Sequence, residues 1–178
     1  MKKEILSGLL LLAAAAPLYC APALEIKGES KYEWRTADPK DQEFILWEDG
    51  GVSGRCFRMT CPAEREYLLC HTWSQPQIPV ASPQDRVKMT IFLKGKGSGK
   101  FGFLARNENH GGLSISETME DFEVNSPDKW VKREFVFYPE VGPGYQEKCR
   151  FLLPVVRLQS GGNIQMDDFT FEFVSPRK

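Results

Sequence analysis

The chain has 178 residues, 23 of them basic and 24 acidic, for a formal charge of −1; 42% are hydrophobic and 26% charged. Those figures describe one ordinary globular unit with enough apolar residues for a core. The near balance of charge, with no long like-charge run, excludes the electrostatic pattern of a nucleic-acid binder.

Lys2 and Lys3 precede an apolar run, Leu9 to Ala16, and a small-residue site, Ala21-Pro22-Ala23. A charged, then apolar, then cleavable order is that of a secretory signal peptide of the bacterial kind. The run is too short to cross a bilayer as a helix. Cleavage after Ala23 is expected, because cutting after Ala16 or Ala21 would leave a proline directly behind the break. This makes 1–23 the signal peptide and 24–178 the mature β domain, released to the periplasm or beyond with no membrane span. A lipid anchor on Cys20 is the disfavoured alternative, since Tyr19 stands where such signals need a small residue.

Four cysteines follow: Cys56, Cys61, Cys70 and Cys149. An even count in an exported chain permits two disulfides. A hairpin of Arg55–Cys61 against Glu66–Thr72 would set Cys56 opposite Cys70 and leave Cys61 for Cys149. Four buried free thiols are the competing reading. A zinc site fits the spacing poorly.

The rest alternates as strands do. Val87, Met89, Ile91 and Leu93 share one parity, the glycine-rich stretch Gly95–Gly99 follows, and Phe101, Phe103 and Ala105 resume the alternation, which predicts a hairpin. Val131, Phe135 and Phe137 share a face, with Trp130 assigned to the core. Phe151–Val156 is apolar on both faces and predicts a central, covered strand. Ile164 and Met166 share one parity and Phe169, Phe171 and Phe173 the other, so a bulge is expected at Asp167-Asp168. Ser116–Phe122 is the best candidate for a helical turn. About ten short strands without a long helix predict an all-β antiparallel sandwich.

Several segments resemble a galactose-binding-like jelly roll of the kind found in bacterial carbohydrate-binding modules of families four, nine and twenty-two. They are Gly50–Arg55 leading into a strand, Gln77–Val80 followed by Arg86–Gly95 entering a lysine-glycine turn, Asp128-Lys129-Trp130 before Phe135–Phe137, and the closing Gly161–Phe171. The resemblance implies a non-catalytic partner of glycans or polysaccharides. It also implies a structural calcium at Asp167 or Asp168; the alternative is a bulge whose carboxylates accept backbone N–H groups.

Sugar sites combine flat rings with polar side chains. Trp73, beside His71 and the loop Ser74-Gln75-Pro76, is a candidate platform, as are Trp47 and Tyr145. Arg106, Asn107, Asn109 and His110 follow one strand, and Arg157 and Gln159 another. Asn109-His110-Gly111-Gly112 reads first as a turn. Glu117, Glu120, Asp121 and Glu123 form an acidic cluster, read as a solvated face; no hydrolase motif is present. The expectation is therefore a binding protein and not an enzyme. The alternative is an envelope protein that uses the sandwich for protein contacts.

Overall fold

The computed structural model describes residues 24–26, 34–72, 77–79, 86–109, 119–137 and 149–174. They form ten strands and one 3₁₀ turn: β1 (Leu24–Ile26), β2 (Trp34–Thr36), η1 (Pro39–Phe44), β3 (Ile45–Asp49), β4 (Arg55–Thr60), β5 (Tyr67–Thr72), β6 (Ile78–Pro79), β7 (Arg86–Arg106), β8 (Glu120–Phe137), β9 (Phe151–Gln159) and β10 (Asn163–Val174). All pairings are antiparallel. The strand order is β2-β5-β9-β7-β10-β4-β3, with β1 on β10, β6 on β9 and β8 on β7.

β7 and β8 are long enough to serve two layers. The first half of β7 pairs with β10, and its second half, from Gly99, pairs with β9. Layer A is thus β3, β4, β10 and β1 with the first half of β7; layer B is β2, β5, β9 and β6 with the second half. Side chains meet between them. Trp34 of layer B stacks on Phe57 of layer A at 5.3 Å and lies 4.9 Å from Phe169. Phe103 of layer B touches Phe171 at 5.9 Å, and Phe101 touches Phe135 at 5.3 Å. This aromatic core makes the molecule an all-β sandwich, as its alternation predicts.

The crossing between layers corrects the expected hairpin. Gly95–Gly99 is no turn: β7 runs straight through it. Gly95 takes φ +119°, which a side chain rarely adopts, and a Cβ there would collide with the Asn163 carbonyl. At Gly99 a Cβ would collide with the Arg157 carbonyl. The glycines are there because backbones approach closely, a second use of glycine in strands. Opposite this point β8 shifts register between the partners of Leu93 and Gly95. The extra residues include Trp130, which is half-buried rather than in the core, with the Lys94 ammonium 5.8 Å from its ring.

A second correction concerns the cysteines. β4 pairs with β3 and β10, and β5 with β2 and β9, so the expected hairpin between them does not form. Cys56 and Cys70 belong to different layers. Cys56, Cys61, Cys70 and Cys149 are all free and buried. Burial raises each thiol's pKa, that of Cys70 well above its ordinary value. The proposed helical turn is corrected in part: Glu120–Phe122 is strand, and 116–118 lies outside the described residues. The signal peptide also lies outside them.

The bulge in β10 is present. Register slips between Asp167 and Thr170, and Asp168 sits at φ 49°. Central β9 is buried from Leu152 to Val156, as its apolar run predicts. Among the described residues no helix is long and apolar enough to cross a membrane.

Candidate functional site

Alternation on β5, β7, β8 and β9 sends every second residue out of layer B. Tyr67 is opposite Gln159, and Ser98 is opposite Glu123. Ser98 Oγ donates to Gln159 Oε1 at 2.8 Å, which joins the two pairs into one row across four strands. Three strand spacings make that row about 14 Å long. The Arg157 guanidinium lies 3.9 Å from the centre of the Tyr67 ring, and Tyr67 remains 41% exposed. The next row contains Leu69, Arg157, Lys100 and Asp121. Lys100 pairs with Asp121 at 3.0 Å and Arg157 with Glu66 at 3.6 Å, so the cations here are matched by carboxylates.

A shallow groove of about 500 Å³ continues from this row. Lys96, Ser98, Glu123, Asn125 and Ser160 line it over Gly97, Gly161 and Gly162. With its amide oxygen taken by Ser98, Gln159 retains its NH₂ as a donor. The face offers a ring, a guanidinium, an amide and carboxylates in fixed order. That combination suits a ligand with many hydroxyls and apolar C–H patches.

The residues expected at a site divide between places. His71 stands outward on β5 opposite Arg35 and Val155. Its Nδ1 lies 2.7 Å from the Thr72 carbonyl. A carbonyl can only accept, so Nδ1 carries the hydrogen. Arg106 ends β7 on the same outward parity, opposite Phe151. Asn107 is the turn former: its Oδ1 accepts from the Asn109 N–H at 3.0 Å. Trp73, Tyr145 and His110 lie outside the described residues. Trp47 is not part of this face. It sits on β3 at the edge of layer A, 5.5 Å from Phe57, on a separate cleft of about 770 Å³ between β2, η1 and β3. The acidic residues Glu120, Asp121 and Glu123 are exposed on β8, a solvated arrangement. Sequence reasoning did not single out Tyr67 as a candidate platform; its signal was the shared parity with Leu69 and His71.

The donors around the Asp pair test the calcium expectation. Asp167 is fully buried, and its Oδ2 accepts from Val52 N at 2.6 Å and Ser53 N at 3.1 Å. Its Oδ1 accepts from Asp168 N, and Asp168 Oδ1 from the Ser53 hydroxyl at 2.6 Å. A cation needs oxygen lone pairs, six to eight for calcium. These carboxylates are instead surrounded by N–H and O–H donors. Among the described residues no group of three or more His, Cys, Asp or Glu gathers around a metal position. The pair does not fit calcium; it clamps the loop before β4 to the bulge of β10.

Comparison with known proteins bears on the fold. No family model matches the sequence, and no curated protein matches it. Solved structures do resemble it. The xylan-binding domain CBM22-1 from Paenibacillus barcinonensis Xyn10C superposes with a TM-score of 0.55 at 13% identity, over 89% of this chain and 97% of that one. A carbohydrate-binding module specific for non-crystalline cellulose, CBM28, gives 0.51 at 11% identity over 80% and 89%. An arabinose-bound α-L-arabinofuranosidase gives 0.53 at 10% identity over 79% of this chain; the match spans only 23% of that enzyme. The β-sandwich fold resembles that of these carbohydrate-binding modules.

Proposed function

We propose that the protein is an exported, non-catalytic glycan-binding module that receives a polysaccharide across the open end of layer B. The observation that carries this reading is the Tyr67–Arg157 stack, in line with Gln159, Ser98 and Glu123 on an open sheet face. The ring supplies an apolar platform. Arg157 and the Gln159 amide donate to hydroxyl oxygens, while Glu123 accepts from hydroxyl hydrogens. Fold alone does not assign a ligand. The named ligands of the similar domains, xylan and non-crystalline cellulose, are the first polysaccharides to try.

The test is affinity electrophoresis and calorimetry with both polysaccharides, using the natural protein, Tyr67→Ala and Gln159→Ala. Binding is expected, with a loss of about tenfold or more in Tyr67→Ala. Binding that Tyr67→Ala leaves unchanged would move the site elsewhere, and no binding to any polysaccharide would remove the reading. Export is part of the same proposal: the N-terminal residue of secreted protein should be Leu24.

A further inference from the structure

The cleft at the opposite side of layer B from β8 carries a different chemistry. β2 is the outer strand of layer B and β3 that of layer A; η1 links them and holds them apart. Asp38 caps η1 by accepting from Lys40 N at 3.0 Å, with Pro39 as its first residue. The cleft between these elements, about 770 Å³, falls within the range of small-molecule sites, roughly 300–1,000 Å³.

Its walls are apolar and its side-chain polar groups are donors. Trp47 and half-exposed Leu46 form one side. Arg35 and Arg55 lie at the rim, and among the described residues no Asp or Glu lines the cleft. Gln42 turns its amide oxygen to the Thr36 N–H at 3.2 Å, so its NH₂ is what it has left to offer. Arg55 spends one Nη2–H on the Trp47 carbonyl at 2.9 Å, which orients the guanidinium. Its nearest acid, Asp49, is 3.6 Å away and 97% exposed, so solvent screens that pair. The indole N–H groups of Trp34 and Trp47 are buried and, among the described residues, without a hydrogen-bond partner. The Arg55 guanidinium, an amide NH₂ and two indole N–H groups without a partner among the described residues complement an anion rich in acceptors.

We propose that this cleft is a second binding site, separate from the Tyr67 face, for a carboxylate carried on a ring with an apolar face. The ring lies against Trp47 and Leu46, and the carboxylate meets Arg55. An aromatic acid and an acidic sugar share this chemistry.

Phenylacetate, glucuronate and neutral phenylacetamide separate the sources. Each is titrated into the full protein while the indole N–H resonances are followed by NMR. At least one of the two anions should shift the Trp47 resonance, and which one does so identifies the source. Arg55→Leu should weaken that anion about tenfold. So should Leu46→Asp, which places a like charge at an exposed rim position where folding is not at stake. Phenylacetamide should bind correspondingly less. No shift with either anion, equal binding of the amide, or unchanged affinity in both variants would overturn the proposal. Arg55→Leu should leave polysaccharide binding intact, so this site and the Tyr67 face can fail independently.

Discussion

On the outer face of layer A, charged residues answer one another. Lys88 of β7 reaches Glu134 at 3.6 Å and Glu172 at 3.9 Å, and Lys132 reaches Glu134 at 3.2 Å. A hydrogen bond from Lys132, then the charge of Lys88, holds the Glu134 carboxyl below its usual range. Further along, Glu48 accepts from Arg58 at 2.8 Å and from Gln165 at 2.9 Å. The outer face of layer B has a different centre. Leu153 and Val155 point away from the inter-layer core yet are only 0% and 2% exposed. Polar and aromatic residues are displaced to the end carrying Tyr67, Arg157 and Gln159. Both faces pair their cations with carboxylates, but only layer B also keeps a ring and an amide in register at an open end. A face that closes its charges on itself has little left for a ligand; one that keeps donors and a ring in register at an open end has a surface to offer.

The largest test of that contrast is Leu153→Ala. A fully buried leucine should cost about 2–5 kcal/mol despite leaving from an outer face, measured by denaturant unfolding. A loss below about 1 kcal/mol would show that the layer B face is not covered as described. Next is Asp167→Ala, the one change aimed at a buried charge in layer A among those proposed. It strands the Val52 and Ser53 N–H groups and should cost on the order of 2 kcal/mol. Protease cleavage within 50–54 should rise with it.

The third test addresses the thiols of both layers. A thiol raised by burial keeps its proton in the folded state after the unfolded chain has released it. Stability should therefore be full below the ordinary thiol range, about 8.5, and fall as pH climbs above it. Cys70→Ala should flatten that fall more than Cys56→Ala, since burial raises Cys70 further. The smallest expected effect is Lys88→Ala, within about 1 kcal/mol, because its partners are solvated. A larger loss there would mean that the layer A network is structural and would erase the distinction between the faces.

Much of this was legible in the amino-acid sequence. Alternation identified the strands, the apolar run 151–156 marked the central strand, and the change of parity at Asp167-Asp168 located the bulge. What misled was glycine. Gly95–Gly99 has the composition of a turn, and only the neighbouring carbonyls of Asn163 and Arg157 explain its extended course. Cysteine spacing misled for a related reason: nearness in sequence suggested that β4 and β5 pair, whereas each has its partners in a different layer. The candidate site was legible in kind, a ring with polar neighbours. It was not legible in place, because Tyr67 meets Arg157 through a pairing of strands some ninety positions apart.

The double membership of β7 and β8 has a consequence for the life of the molecule. A sandwich whose halves are joined only by loops can lose one half and keep the other. Here two continuous ribbons are stitched into both, so neither half has a border at which it could detach. Opening should be all or nothing. Assembly is correspondingly demanding, since those ribbons cannot settle until partners from β10 and β9, far along the chain, arrive to flank them.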